Sequence, residues 1–116
     1  MDVTHDAILA AVDAGADLVE IGVPFSDPIA DGPVIQASYQ RALGAGASLP
    51  RILELCARLR LRTDVPIVLF GYYNPFFRYG DKALARDAKE AGVDAIWPGC
   101  DLVLQSPVGN IHTILL

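Results

Sequence analysis

The amino-acid sequence predicts an α/β chain in which parallel strands alternate with helices, and three observations carry that expectation. First, the apolar runs at 17–23 (DLVEIGV), 66–70 (PIVLF) and 93–97 (VDAIW) have the length of strands and are separated by segments of helical periodicity. Second, the run from Leu18 to Val23 is apolar on both faces apart from Glu20, which suits a strand covered on each side in a parallel sheet. Third, two echoes, DAGAD at 13–17 and KEAGVD at 89–94, mark equivalent helix-to-strand turns, such as recur at one face of a β/α barrel. A whole (β/α)8 barrel takes about 250 residues. The 116 residues here supply about half of one, so the expected architecture is an incomplete barrel.

Each element follows from local chemistry. Thr4 or Asp6 can cap a short helix through Ala7–Val12, and Gly15 suits its end. The strand Asp17–Val23 comes next, followed by a loop rich in acids and prolines. Pro33 fits the first turn of a helix, where its missing N–H costs nothing, and that helix runs to about Leu43 before Gly44-Ala45-Gly46. Ser48 reads as an N-cap with Pro50 in the first turn, and Ile52, Leu53, Leu55, Cys56 and Leu59 form an apolar stripe with arginines opposite. Pro66 opens a second strand through Phe70. The aromatic stretch Gly71–Phe77 is expected as a loop, Asp81–Glu90 as a helix, and the third strand starts at Val93. The order is α-β-α-α-β-α-β, with residues 1–97 as the barrel portion. Residues 98–116 are expected as a divergent tail, because Pro98-Gly99 argues against a central strand continuing there.

Composition narrows the function. Hydrophobic residues make up 53% and mean hydropathy is +0.36, which excludes a disordered chain. Net charge is −5, with no basic cluster beyond Arg58, Arg60 and Arg62, so nucleic-acid binding by phosphate neutralisation is excluded. Those arginines are expected on a solvated helix face, and His5 and His112 at the surface. Cys56 and Cys100 form no close-spaced pair, and Cys56 reads as a small core residue of a reduced chain. The N-terminus carries acids instead of a basic leader, and no stretch reaches the roughly 18 apolar residues of a membrane span. The expectation is a cytoplasmic protein.

The chemistry concentrates after the first strand. Period-2 alternation puts Val19, Ile21 and Val23 on one face and Leu18, Glu20 and Gly22 on the other. Glu20 therefore points inward, where an unpaired carboxylate is costly. It is either a functional acid or a structural glutamate satisfied by backbone groups. Asp27 and Asp31 lie on the loop that follows. Asp31, just before Gly32-Pro33, reads equally as a site residue or a helix cap, and Asp27 as a turn former. A hard-cation site from Glu20, Asp27 and Asp31 is a rival, but their spacing matches no known binding loop. Phe70 and Tyr72, at the end of the second strand, suit either core packing or a ligand pocket.

The segment GADLVEIGVPFSDPIADGPVIQ, Gly15 to Gln36, resembles the signature region of the tryptophan synthase alpha chain family, and the likeness extends more loosely through PIVLFGYYNPFFRYG (66–80) and Ala91–Ile96. The resemblance implies a TIM (β/α)8 barrel that cleaves indole-3-glycerol phosphate to indole and glyceraldehyde 3-phosphate. It implies Glu20 as the general acid–base and Asp31 as the second catalytic carboxylate, and it places Tyr72 and Phe70 at the indole pocket. Pro24, Asp27 and Asn74 fall where the family meets its beta-chain partner. No metal or organic cofactor is implied, because the protonated indole is itself the electron sink. The family's first strand, and the phosphate site late in its barrel, are expected to lie outside this chain. Two rivals remain at this stage: a non-catalytic interaction module that keeps the beta-chain surface, and another phosphosugar-handling barrel piece.

Overall fold

The computed structural model describes residues 2–28 and 31–98, and the backbone of 111–115. Helix α1 (Asp2–Asp13) leads into strand β1 (Leu18–Gly22), then helices α2 (Pro33–Gly44) and α3 (Leu49–Arg60). Strand β2 (Ile67–Gly71) follows, then α4 (Tyr73–Tyr79), α5 (Asp81–Glu90), β3 (Ala95–Pro98) and β4 (Ile111–Leu115). The strands form one parallel sheet in the order β3-β2-β1-β4. The expected alternation is present, and the sheet is open, as an incomplete barrel requires.

Register decides which side chains share a face. Val19 pairs with Ile67 and Ile21 with Leu69, and all four are fully buried. With Val23 they pack on Ile8 of α1, on Ile52, Leu55, Cys56 and Leu59 of α3, and on Leu84 of α5. The helices therefore cover this face, and fully burying each such aliphatic side chain contributes about 1.5–3 kcal/mol. The other face carries Glu20 opposite Val68 and Gly22 opposite Phe70. It is the face that a closed barrel turns inward.

The starts of α2 and α3 follow the sequence, whereas Thr4 and Asp6, expected as caps of the first helix, lie inside α1, which starts at Asp2. Ser48 accepts the backbone N–H of Arg51 at 3.5 Å, and Pro50 sits in the first turn of α3. Gly15 and Gly92, the glycines of the two echoed turns, have φ of 106° and 81°, a region that L side chains avoid. At Gly92 a Cβ would also stand 2.8 Å from Arg60 Nε, so the close approach of the Arg60 side chain adds a second reason for glycine.

Three further expectations are corrected. The stretch expected as a loop after β2 is helix α4 over Tyr73–Tyr79, since Pro75 in its first turn lacks only an N–H that has no intrahelical partner. Arg60 does not lie on a solvated face. Its guanidinium donates to the carbonyls of Gly92 (2.6 Å), Thr63 (3.2 Å) and Val65 (2.9 Å) and to Asp94 Oδ2 (2.9 Å), and Asp94 Oδ2 also accepts from Ile67 N at 2.8 Å. That clasp ties the end of α3 to the starts of β2 and β3. His5 is buried, not at the surface, with its Nδ1 3.2 Å from Asp6 Oδ1. Within residues 98–116, for which the sequence gives no expected structure, Ile111–Leu115 forms a strand on β1, with Glu20 in register with Thr113. Residues 99–110 and 116, including Cys100, lie outside the described residues, as does the His112 side chain. No helix among the described residues is long and apolar enough to cross a membrane.

Two groups give pH-dependent expectations. Burial pushes the Cys56 thiol up to about 12, with Arg60 pulling weakly the other way. Cys56 is expected to ignore a thiol reagent at pH 8 in the native chain and to react fully in denaturant, and rapid native labelling would contradict its core position. The Tyr79 hydroxyl, and then the Arg86 guanidinium, hold the Asp87 carboxyl below its ordinary value. A depressed carboxyl stabilises the fold above the unfolded value of about 3.9, and that contribution is lost as pH falls through the lower folded value. Denaturant melts between pH 5 and about 2 should therefore show a shallower loss for Asp87→Asn than for the native chain.

Candidate active site

The inward face of β1 and the two loops at the C-terminal ends of β1 and β2 bring most of the candidate residues to one end of the sheet. Glu20 is 6% exposed on its central strand. Its side chain is thus withdrawn from bulk water, as the period-2 pattern requires. Phe70 is half-buried on the same face, paired with Gly22 and Trp97. Tyr72, just beyond β2, is buried, and its ring lies 5.2 Å from that of Phe25 with the planes tilted by 39°. This contact joins the loop after β1 to the loop after β2. It is an aromatic pairing that alternation could not reveal, because both residues lie outside the strands.

Asp31 is half-buried, and its Oδ2 is shut off from solvent with no hydrogen-bond partner among the described residues. The capping alternative is not adopted: Gly32 occupies the N-cap of α2, and no side chain caps that helix. An excluded carboxylate oxygen without a partner costs about 1–3 kcal/mol or more, and such cost tends to persist where a ligand satisfies the atom. The loop ahead of Asp31 is held by Gln36, which sequence reasoning missed. Gln36 Nε2 donates to Pro28 O at 3.1 Å and to Asp31 O at 2.8 Å.

Asp27 is exposed and accepts the Ser26 hydroxyl at 3.1 Å, an arrangement suited to a turn. Glu20, Asp27 and Asp31 form no metal-holding group, and none of three or more acids, histidines or cysteines exists among the described residues. Asn74 is exposed on α4. Pro24 is buried in a cleft of about 420 Å³ that Phe25, Leu43, Pro75 and Tyr79 also line. The cleft lies on the outer side of the same end of the sheet, between the β1 loop, the α2–α3 turn and α4.

This geometry meets a clear match among known proteins. The family model described as "Tryptophan synthase alpha chain" matches residues 1–102. The chain belongs to the tryptophan synthase alpha chain family. The alpha chain of Geobacter sp. (strain M21) is 61% identical over 93 residues, which are 80% of this chain and 35% of that protein. That of Caldanaerobacter subterraneus subsp. tengcongensis is 50% identical over 96 residues, 83% of this chain and 37% of the relative. The crystal structure of tryptophan synthase subunit alpha from Legionella pneumophila superposes with a TM-score of 0.80 at 38% identity, over 82% of this chain and 37% of that one. A tryptophan synthase complex from Pyrococcus furiosus matches with a TM-score of 0.70 at 45% identity, covering 76% and 36% respectively. The chain therefore spans little more than a third of the length of the tryptophan synthase alpha chains it matches, and its fold is a portion of their barrel.

The join between the two site loops is tight. A Cβ on Gly71 would come 3.0 Å from Val23 O and 3.4 Å from Val23 Cβ. Gly71→Ala must push β2 away from the end of β1, at about 1–3 kcal/mol. The expected measurement is a lower urea midpoint with an unchanged slope. An unchanged midpoint would show that the two loops are not locked at this point.

Proposed function

We propose that this chain carries the two catalytic carboxylates of a tryptophan synthase alpha chain, acting in the retro-aldol cleavage of indole-3-glycerol phosphate to indole and glyceraldehyde 3-phosphate. The observation that carries the reading is one acid, Glu20, withdrawn from water on the inward face of β1, followed by a second, Asp31, with a solvent-excluded oxygen that has no hydrogen-bond partner among the described residues.

The chemistry needs both kinds of acid. Glu20 in its protonated form gives a proton to C3 of the indole ring, which leaves an indolenine cation and a Glu20 carboxylate. Asp31, ionised, accepts the ring N–H and offsets the charge that develops there. The Glu20 carboxylate then takes the proton of the hydroxyl on the carbon attached to C3. The C–C bond breaks, its electron pair returns to the ring as indole, and the aldehyde leaves as glyceraldehyde 3-phosphate. One carboxyl thus performs both proton transfers and is regenerated. Tyr72 and Phe70 form the aromatic wall for the indole, a reading supported by Phe70 standing half-buried on the Glu20 face and by the burial of Tyr72 just beyond β2. Pro24, Asp27 and Asn74 form the surface for a tryptophan synthase beta chain, and the setting is the cytoplasm.

A second reading, a non-catalytic module that keeps the beta-chain surface, is favoured by the exposure of Tyr73 and Phe77 beside Asn74 on α4. One assay separates the two. Indole release is measured for the chain alone and for the chain mixed with a polypeptide supplying the remaining strands of a relative. Catalysis predicts indole in at least one arm, reduced on the order of 10²–10⁴-fold by Glu20→Gln and on the order of 10²–10³-fold by Asp31→Asn. Indole release that survives Glu20→Gln, or its absence in both arms together with altered beta-chain turnover, would overturn the catalytic reading.

A further inference from the structure

We propose that Gln36 is the positioning residue for Asp31: its side-chain amide holds the loop so that the carboxylate cannot turn back to cap its own helix. The meaning of this for catalysis rests on the reading above, while the structural claim stands on separate observations.

Asp31 sits one residue ahead of the N-cap of α2, a helix whose first-turn N–H groups have no intrahelical partner and, among the described residues, no side-chain cap. A carboxylate at that place has an obvious alternative, since a short rotation of the chain would let it accept those N–H groups and gain the favourable field of the helix start. The structure does not take it. The Asp31 amide instead donates to Pro28 O at 3.2 Å, and the Gln36 amide bridges Pro28 O and Asp31 O, so both carbonyls that set the loop's path are fastened to one side chain. Gln36 is itself fixed by its backbone N–H to Gly32 O at 3.0 Å, in the first turn of α2. Pro28, Asp31 and the start of α2 are therefore tied to one another through Gln36, with Asp31 Oδ2 left excluded and without a partner among the described residues. Both bonds at Gln36 Nε2 are donated, so the function requires N–H groups at that reach and not merely side-chain volume. Methionine keeps the length without donors, and glutamate replaces the donors with an acceptor.

The test uses the 116-residue chain labelled with ¹³C at aspartate Cγ and with ¹⁵N, in native form and as Gln36→Met and Gln36→Glu. The expected result is a displaced Asp31 Cγ resonance and faster exchange of the Asp31 amide in both variants, with the Asp27 Cγ resonance and the melting temperature close to native. A lower melting temperature with unmoved Asp31 signals would show that Gln36 only braces the helix, and unmoved signals at native stability would show that it does nothing for Asp31. Either outcome overturns the proposal, and the paired variants keep it decidable if one of them fails to fold. In an assembly that releases indole, kcat should fall on the order of 10²-fold with KM little changed, as for a displaced catalytic group. The spectroscopic arm needs no turnover. A failure of the catalytic reading therefore leaves this result intact, and flat Asp31 signals sink this proposal even where Glu20 and Asp31 prove catalytic.

Discussion

The central place of β1 in the sheet is the constraint on which the rest depends. Parallel partners on both sides satisfy its backbone groups, β2 on one flank and β4 on the other. A strand so placed is free to hold a polar side chain out of water, because the cost of burying Glu20 is set against a complete ladder and an unbroken aliphatic layer beneath it. Val19, Ile21 and Val23 supply that layer from the same five-to-six-residue stretch. The alternation that buries the three aliphatic side chains against the helices is the same alternation that turns the acid to the opposite face. The aliphatic core and the buried acid are thus divided between the two sides of one strand.

Division of labour extends to the ends of the sheet. At the N-terminal edge, Arg60 and Asp94 gather carbonyls and an amide from three segments into one clasp. At the opposite edge the loops after β1 and β2 carry the excluded Asp31 oxygen, the Phe25–Tyr72 ring contact and the cleft beside Pro24. Barrel folds separate a stabilising face from a reactive one, and the two ends of this sheet differ in the same sense.

Much of this was legible from residue order, for reasons particular to each element. Pro33, Ser48 and Pro50 act within one turn of their own positions, so the starts of α2 and α3 could be read locally. Gly15 and Gly92 require a left-handed backbone wherever the chain goes next. The inward direction of Glu20 follows from a period of two. What stayed hidden depends on distance. Arg60 looks like one member of an exposed basic run until the chain folds Gly92 and Asp94 against it, 32 and 34 residues away. Helix α4 was obscured by Pro75, which marks a turn and a first helical turn alike. Strand β4 pairs with a segment about ninety residues earlier, and no local pattern announces such a partner. Gln36 was missed because a glutamine in the first turn of a helix is an ordinary surface residue unless its amide is seen to reach the loop.

The outer flank of β3 has a different consequence. Ala95 and Trp97 are exposed on the strand that ends the sheet, and Trp97, half open to water, is the chain's one tryptophan. Its indole gives the molecule a built-in optical probe at the margin where the described sheet stops. Emission from that ring will report the polarity of whatever lies alongside, so the wetness of this margin can be followed by colour alone, without labels and without turnover.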